Sequence, residues 1–319
     1  MTSKAPVPTP AQPGDAEWLS MRERGTVFGI RAAYWLATVV GRTAMRPLVA
    51  LVALWYAVFD RKVVRASRAW LLRVHGRSPG FGQVYRHLRT FSQVTLDKVY
   101  LLTDHTRAMR FTRTGHELLA AQLASGQGAI LLGAHLGSYE AMRAGGETTD
   151  LPIEILGYFA NSRMINSLLA RLSPRAAAKV IHLGDDPIGV MARVQDSLAA
   201  GRFVATMGDR TGLTDRIVRV PFFGQEASFP AGPFLMASVL RCPVYLVFGL
   251  YRAPDCYDLH CERFADRIEL PRQERAERLR QWVTRYAARV EHHARSAPDN
   301  WFNFFDFWAA PPTATPPPP

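Results

Sequence analysis

The sharpest chemical signal in the chain is Gly128-Ala-Ile-Leu-Leu-Gly-Ala-His135-Leu-Gly-Ser-Tyr-Glu140. An apolar run delivers a histidine, small residues turn the chain, and a glutamate follows five positions later. On one continuous helix, positions i and i+5 lie about 140° apart and cannot easily touch. They meet if His135 precedes a helix and Glu140 lies in its first turns. A carboxylate on one imidazole N–H fixes the tautomer and stabilises the imidazolium that forms when the other nitrogen takes a proton. The carboxyl ends of strands in an open α/β sheet are where ligands bind. The pair His135 and Glu140 therefore reads as a general base aimed at an acidic proton.

Other catalytic patterns fail. Ser138 stands in Gly-Ser-Tyr-Glu, not in the G-x-S-x-G elbow of a serine hydrolase. His116-Glu117 begins like H-E-x-x-H, but position 120 is Ala. Gly126, Gly128 and Gly133 do not fit G-x-G-x-x-G, because position 131 is Leu, and no phosphate-loop motif is present. Cys242, Cys256 and Cys261 are odd in number and lack C-x-x-C spacing, so neither a disulfide framework nor a structural zinc site is expected. No cofactor and no metal is expected. A base without a protein nucleophile points to water or a substrate hydroxyl as the attacking group.

The elements that position this base follow from periodicity. Short apolar runs at Ala129–Leu132, Ile153–Leu156, Val180–His182, Phe203–Met207 and Val244–Leu250 read as strands. They alternate with helical patterns, which predicts an α/β fold with a mixed, largely parallel sheet flanked by helices. Val84, Leu88, Phe91, Val99 and Leu102 recur at helical spacing over Gln83–Leu102, with Thr95 the one polar member of the stripe. Asp186 caps a helix with Pro187 in its first turn, Ile188, Met191 and Leu198 on one side and Gly201 as its stop. A last helix, about Arg272–His293, turns Leu279, Val283, Tyr286 and Val290 inward.

Residues 26–59 are the most apolar stretch, interrupted by Arg31, Arg42 and Arg46, which leaves Pro47–Phe59 uncharged. A spanning helix needs about 20 apolar residues, so an interfacial hairpin, one short span and a buried hairpin all remain open. Trp35, Trp55 and Tyr56 suit a headgroup layer. The expected organisation is a disordered tail at 1–16, an N-terminal membrane-associating helical segment at 17–80 built on an apolar helical hairpin, one catalytic α/β domain at 81–308 and a Pro-rich tail at 309–319.

Composition bounds the alternatives. Hydrophobic residues make up 48% and charged residues 21% of the 319, which excludes a largely disordered chain and a polytopic membrane protein. The formal net charge is +12, and with lysine only at Lys4, Lys62, Lys98 and Lys179 it is almost all guanidinium. Guanidinium suits oxyanions and anionic surfaces. The arginines are spread over amphipathic helices and no nucleic-acid motif occurs, so a nucleic acid is not the expected partner.

His135-x4-Glu140 resembles the H-x4-[D/E] motif of the lysophospholipid acyltransferase superfamily, which moves a fatty acyl group from a thioester to a hydroxyl. Val204-Ala-Thr-Met-Gly-Asp209-Arg210-Thr211 looks like that superfamily's second block. Val220-Pro-Phe222-Phe223-Gly224, followed by Phe229-Pro-Ala-Gly-Pro233, looks like the block of its lipid A biosynthesis acyltransferase branch. Glu23-Arg24-Gly25 and Leu36–Arg42 also look like this branch, so the resemblance spans roughly residues 17–308. The E-G-T-R-S phosphate block of the glycerol-phosphate enzymes is absent, and the ending Trp301-Phe-Asn-Phe-Phe-Asp-Phe-Trp308 departs from the usual lipid A enzyme ending.

The resemblance implies an acyltransferase at the cytoplasmic face of a bacterial inner membrane. Acyl carrier protein is the implied donor, with coenzyme A thioester as the alternative, and a lipid or glycolipid is the acceptor; a polyene pigment or a lysophospholipid stays open. It implies His135 as base and Glu140 as its partner. Backbone N–H groups at Gly137 and Ser138 would receive the oxyanion, with Arg210, next to Asp209, as a charged helper or else paired with Asp209 or Asp215. Phe222, Phe223 and Gly224 either line the acyl or acceptor channel or form a core corner, and the aromatic ending either meets headgroups or closes the core. A non-catalytic membrane-associated scaffold and a thioesterase are the competing functions.

Overall fold

A computed structural model describes residues 35–309, apart from 37–38, 104, 148–150, 158–179, 184–185 and 212–215. The tail expected at 1–16, the start of the N-terminal segment, residues 310–319 and Asp215 lie outside the described residues.

Among the described residues, the first elements with given bounds are α1 (Arg42–Phe59), α2 (Arg61–His75) and α3 (Phe81–Leu102). It continues as β1 (Arg110–Thr114), α4 (His116–Ala124), β2 (Ala129–Gly133), α5 (Tyr139–Glu147), β3 (Ile153–Gly157), β4 (Val180–His182), α6 (Pro187–Ala199) and β5 (Phe203–Met207). A hairpin of β6 (Ile217–Phe222) and β7 (Gln225–Pro230), then α7 (Gly232–Leu240), β8 (Val244–Arg252), β9 (Cys256–Ala265) and α8 (Arg275–Ser296) complete it. Seven strands form one sheet in the order β1-β9-β8-β2-β5-β3-β4, and only β8 and β9 pair antiparallel. This is the mixed, largely parallel α/β sheet that the alternating pattern predicts.

All five expected strands form. β2 is buried along its whole length, as a central strand covered on both faces should be. Ile130, Leu132, Val204, Leu246 and Phe248 pack on one face with Val283, Tyr286 and Val290 of α8. Ala129, Leu131, Phe203, Ala205 and Val247 pack on the other with Leu119 of α4. Asp186 accepts from the Gly189 N–H at 2.9 Å, which caps α6 as the sequence indicates. The inward side of α6 differs from the expected stripe: Ile188 is exposed, and Val190, Val194 and Leu198 are buried. Capping fixed where this helix starts; its rotation about its own axis follows from contact with the sheet, which turns Val190 and Val194 inward.

Of α1 and α2 only α1 is apolar; α2 carries Arg61, Lys62, Arg65 and Arg68 on exposed positions. One face of α1, comprising Arg42, Met45, Val49, Ala53 and Ala57, is buried. Arg42 donates from Nε and Nη2 to the two Asp97 oxygens at 2.8 and 2.7 Å. Gln93 and Tyr257 also donate to Asp97, both at 2.8 Å. With side-chain exposures of 2% and 0%, this ion pair is fully desolvated and ties α1 to α3. Removing one partner of a buried pair costs about 3–5 kcal/mol because the other charge is stranded. Arg42→Met is therefore expected to lower unfolding stability by about that amount, read from the urea midpoint at unchanged slope.

Candidate active site

The strand register assembles the site. β2 and β5 lie parallel with Gly133 opposite Met207. Two residues past each strand end, at the carboxyl edge of the sheet, stand His135 and Asp209. The main chain thus brings together two groups that are 74 positions apart.

Asp209 holds His135 twice. One oxygen accepts the His135 backbone N–H at 2.9 Å, and the other lies 2.9 Å from Nδ1 of the ring. An ionised carboxylate only accepts, so Nδ1 carries the hydrogen and the lone pair of the neutral ring sits on Nε2. Nε2 has no partner among the described residues, and the side chain is 30% exposed. Asp209 itself is fully buried. Burial alone would raise its pKa, but His135 first, then Arg210 and Asn303, outweigh burial and hold it at about 2. The His135 pKa falls below its ordinary 6.5, chiefly through burial and then through the Arg210 charge, with Asp209 opposing.

The expected partner of the base is corrected here. Glu140 does lie in the first turn of α5, after the histidine, as anticipated. Its carboxylate, however, takes Lys98 Nζ of α3 at 3.1 Å and the Ser138 hydroxyl at 3.1 Å. Lys98 and Ser138 together hold its pKa below the ordinary value against the upward push of burial. The ring is turned towards the acid that follows the neighbouring strand rather than towards the acid on the helix that follows it in the chain.

The expected oxyanion donors are also corrected. The Gly137 N–H donates to Asn300 O at 2.8 Å, and the Ser138 N–H to Gly249 O at 2.7 Å. These amides stitch the turn to β8 and to the C-terminal segment, so they are not aimed at a ligand. The contact is close: a Cβ on Gly137, whose φ is 80°, would lie 2.0 Å from Gly249 O. Only glycine fits both the conformation and the space. Ser138 caps α5, its Oγ accepting the Ala141 N–H at 3.1 Å, which gives the hydroxyl a structural task.

Arg210 stands beside this cluster. Its Nε donates to Asn303 Oδ1 at 2.7 Å and its Nη2 to Phe302 O at 3.2 Å. Burial lowers its pKa to about 10, so the guanidinium remains charged at neutral pH. Asn303 in turn donates from Nδ2 to Asp209 at 2.9 Å. Phe302 N–H donates to His135 O at 2.9 Å. The C-terminal segment is thus one wall of the site, a role that no motif announced.

The same segment settles the aromatic residues. Trp301 is fully buried and stacks on Trp70 at 5.0 Å. Phe222 packs against Trp301 and Trp308, and Phe223 against Trp70. Phe222 and Phe223 form a core corner rather than a channel wall, and Gly224, exposed with φ 75°, makes the β6–β7 turn. The aromatic ending closes the core. Cys242, Cys256 and Cys261 are buried and unpaired.

What the cluster can do is proton transfer: an imidazole with a fixed tautomer, a buried carboxylate behind it and a permanent cation beside it. The family model described as bacterial lipid A biosynthesis acyltransferase matches residues 13–309 of the chain. No curated protein matches it.

Proposed function

The chain belongs to the bacterial lipid A biosynthesis acyltransferase family, and from that premise we propose that His135 is the general base of acyl transfer to a lipid hydroxyl. Nε2 takes the proton of the acceptor hydroxyl while Asp209 holds Nδ1–H and balances the imidazolium. The acceptor oxygen bonds to the carbonyl carbon of an acyl thioester, and the carbon–sulfur bond then breaks. The departing thiolate recovers the proton from the imidazolium, so the base returns to its starting state. Arg210, the cation beside the ring, stabilises the negative oxygen of the intermediate. Glu140 serves by fixing the first turn of α5 through Ser138 and Lys98. The observation that carries this reading is the His135–Asp209 pair at the carboxyl edge of the sheet, with Nε2 turned outward.

Acyl carrier protein is the donor and a lipid or glycolipid the acceptor, at the cytoplasmic face of the inner membrane. The positive charge of the chain suits both an acidic carrier and anionic headgroups. Among the described residues α1 is the one helix long and apolar enough to cross a membrane. Its length, however, is matched by its attachment: one face packs on α3 through the Arg42–Asp97 pair, while Leu51, Trp55, Val58 and Phe59 are exposed. Held along one side by the catalytic domain, α1 lies along the interface with its exposed apolar face against the acyl chains. The exposed cations of α2 then meet the headgroups.

Total-lipid mass spectrometry of matched cells tests the reading. The gene's removal should erase one acylated species, and wild type but not His135→Ala should restore it. Restoration by His135→Ala would make the chain a scaffold. Free fatty acid released without an acceptor would make it a thioesterase. A pH profile adds a second check. Only the neutral ring accepts a proton, and its pKa is depressed, so the acid limb of kcat/KM should lie below pH 6.5. A limb above that value would assign the titration to another group.

A further inference from the structure

We propose that Asn303 is a positioning residue that keeps Arg210 and Asp209 apart, so that the carboxylate serves His135 and the guanidinium serves the substrate. The proposal rests on the reading of His135 as the base. Asp209 and Arg210 are neighbours in sequence and are buried together, so that each feels the other's charge. The amide of Asn303 bonds to both of them. Arginine only donates and a carboxylate only accepts, so the amide has one possible orientation: Oδ1 towards Arg210 at 2.7 Å, Nδ2 towards Asp209 at 2.9 Å. The side chain is 3% exposed, so water does not substitute for either bond.

The backbone around Asn303 is anchored through the residues that precede it in the chain. Asn300 exchanges two side-chain bonds with Tyr251, at 2.7 and 3.0 Å, and Phe302 N–H is held by His135 O. Trp301 O takes His87 Nε2 at 2.6 Å. His87 is completely buried, and burial drops its pKa to about 4, so that the ring stays neutral and the bond persists over the working pH range. Asn303 therefore sits on a rigid strap, and its amide is a fixed spacer rather than a mobile side chain.

The separation changes what each charge does. A guanidinium closed onto Asp209 would neutralise the carboxylate that stabilises the imidazolium, and would itself turn away from the reacting carbonyl. Three enzymes distinguish this from a packing role: Asn303→Ala, Arg210→Gln and the double variant. Their kcat, KM, acid limb and melting temperature are compared with wild type, with His135→Ala as the check on the underlying reading.

Asn303→Ala should lower kcat at least about tenfold, the scale of a lost hydrogen bond to a charged group, with KM nearly constant, and move the acid limb to lower pH as Arg210 closes on Asp209. Arg210→Gln should move the limb to higher pH, because a cation beside the ring is removed. In the double variant no cation remains to collapse, so the limb should stay where Arg210→Gln alone puts it. An Asn303→Ala limb at the wild-type pH, with activity lost only in proportion to folded enzyme, overturns the proposal. So does a double variant that shifts downward from Arg210→Gln as the single does from wild type. Should Asn303→Ala not fold, Asn303→Ser, too short to reach both partners, takes its place with the same expectations. Full activity of His135→Ala would instead overturn the reading of the base and leave Asn303 with nothing to position.

Discussion

His135→Ala enzyme is expected to transfer acyl groups at least about 10³ times more slowly than wild type, the upper part of the range for loss of a general base. Residual turnover would come from substrate positioning and from Arg210. The fold should survive, because the ring is partly exposed and Asp209 keeps two of its three donors, the His135 backbone N–H and Asn303. An unpaired acceptor of this kind costs about 1–3 kcal/mol, which a melting curve reads separately from activity. Steady-state transfer with purified acyl carrier protein thioester is the measurement. Retention of more than a tenth of wild-type kcat would remove the ring from the chemistry.

The second large effect separates the two acids. Asp209→Asn should reduce kcat by about 10² to 10⁴, because an amide facing Nδ1 can donate and so favour the tautomer in which Nε2 bears the hydrogen and cannot act as a base. Glu140→Gln should cost less than about tenfold. Its carboxylate is paired with the half-exposed Lys98 and with a capping serine, and a pair with one partner screened by solvent contributes about 1 kcal/mol. Measuring both substitutions under identical conditions makes their ratio the test. If Glu140→Gln proves the more damaging, the ring must swing to the acid on α5 during turnover, and the Asp209 contact belongs to a resting state.

Much of this site was legible from the chain, for identifiable reasons. β2 and β5 are central strands, covered on both faces, and read as apolar runs in which Thr206 is the one polar side chain. His135 stood out because it ends such a run. β1, Arg-Phe-Thr-Arg-Thr at a sheet edge, and β9, whose buried and exposed residues are mixed, carry no such run and were not anticipated.

The partner of His135 was misassigned because spacing in sequence favours the acid five residues away. The signal that finds the true partner is subtler: Asp209 follows the end of β5 by the same two residues as His135 follows β2. Equal offsets past two apolar strands are visible in a sequence once those strands are known to be neighbours. Asn303 and Lys98 had no such marker. Each reaches the site from an element brought there by packing, as do Gly249 and Asn300, which occupy the amides of Ser138 and Gly137. The aromatic ending was readable as apolar but not as a wall of the site, since hydrophobicity alone does not reveal what the backbone between the rings is bonded to.

Because the imidazole and its carboxylate ride on adjoining ladders of main-chain hydrogen bonds, the spacing between them is counted out in residues rather than set by side-chain shape. Losing one residue within Phe203–Met207 would draw the acid back by about 3.3 Å and reverse the side it faces, since successive residues of a strand point oppositely. Exchanging Ala205 for another small apolar residue would do neither. Inherited variation in this region should therefore exchange one apolar residue for another of similar size and be strict in length.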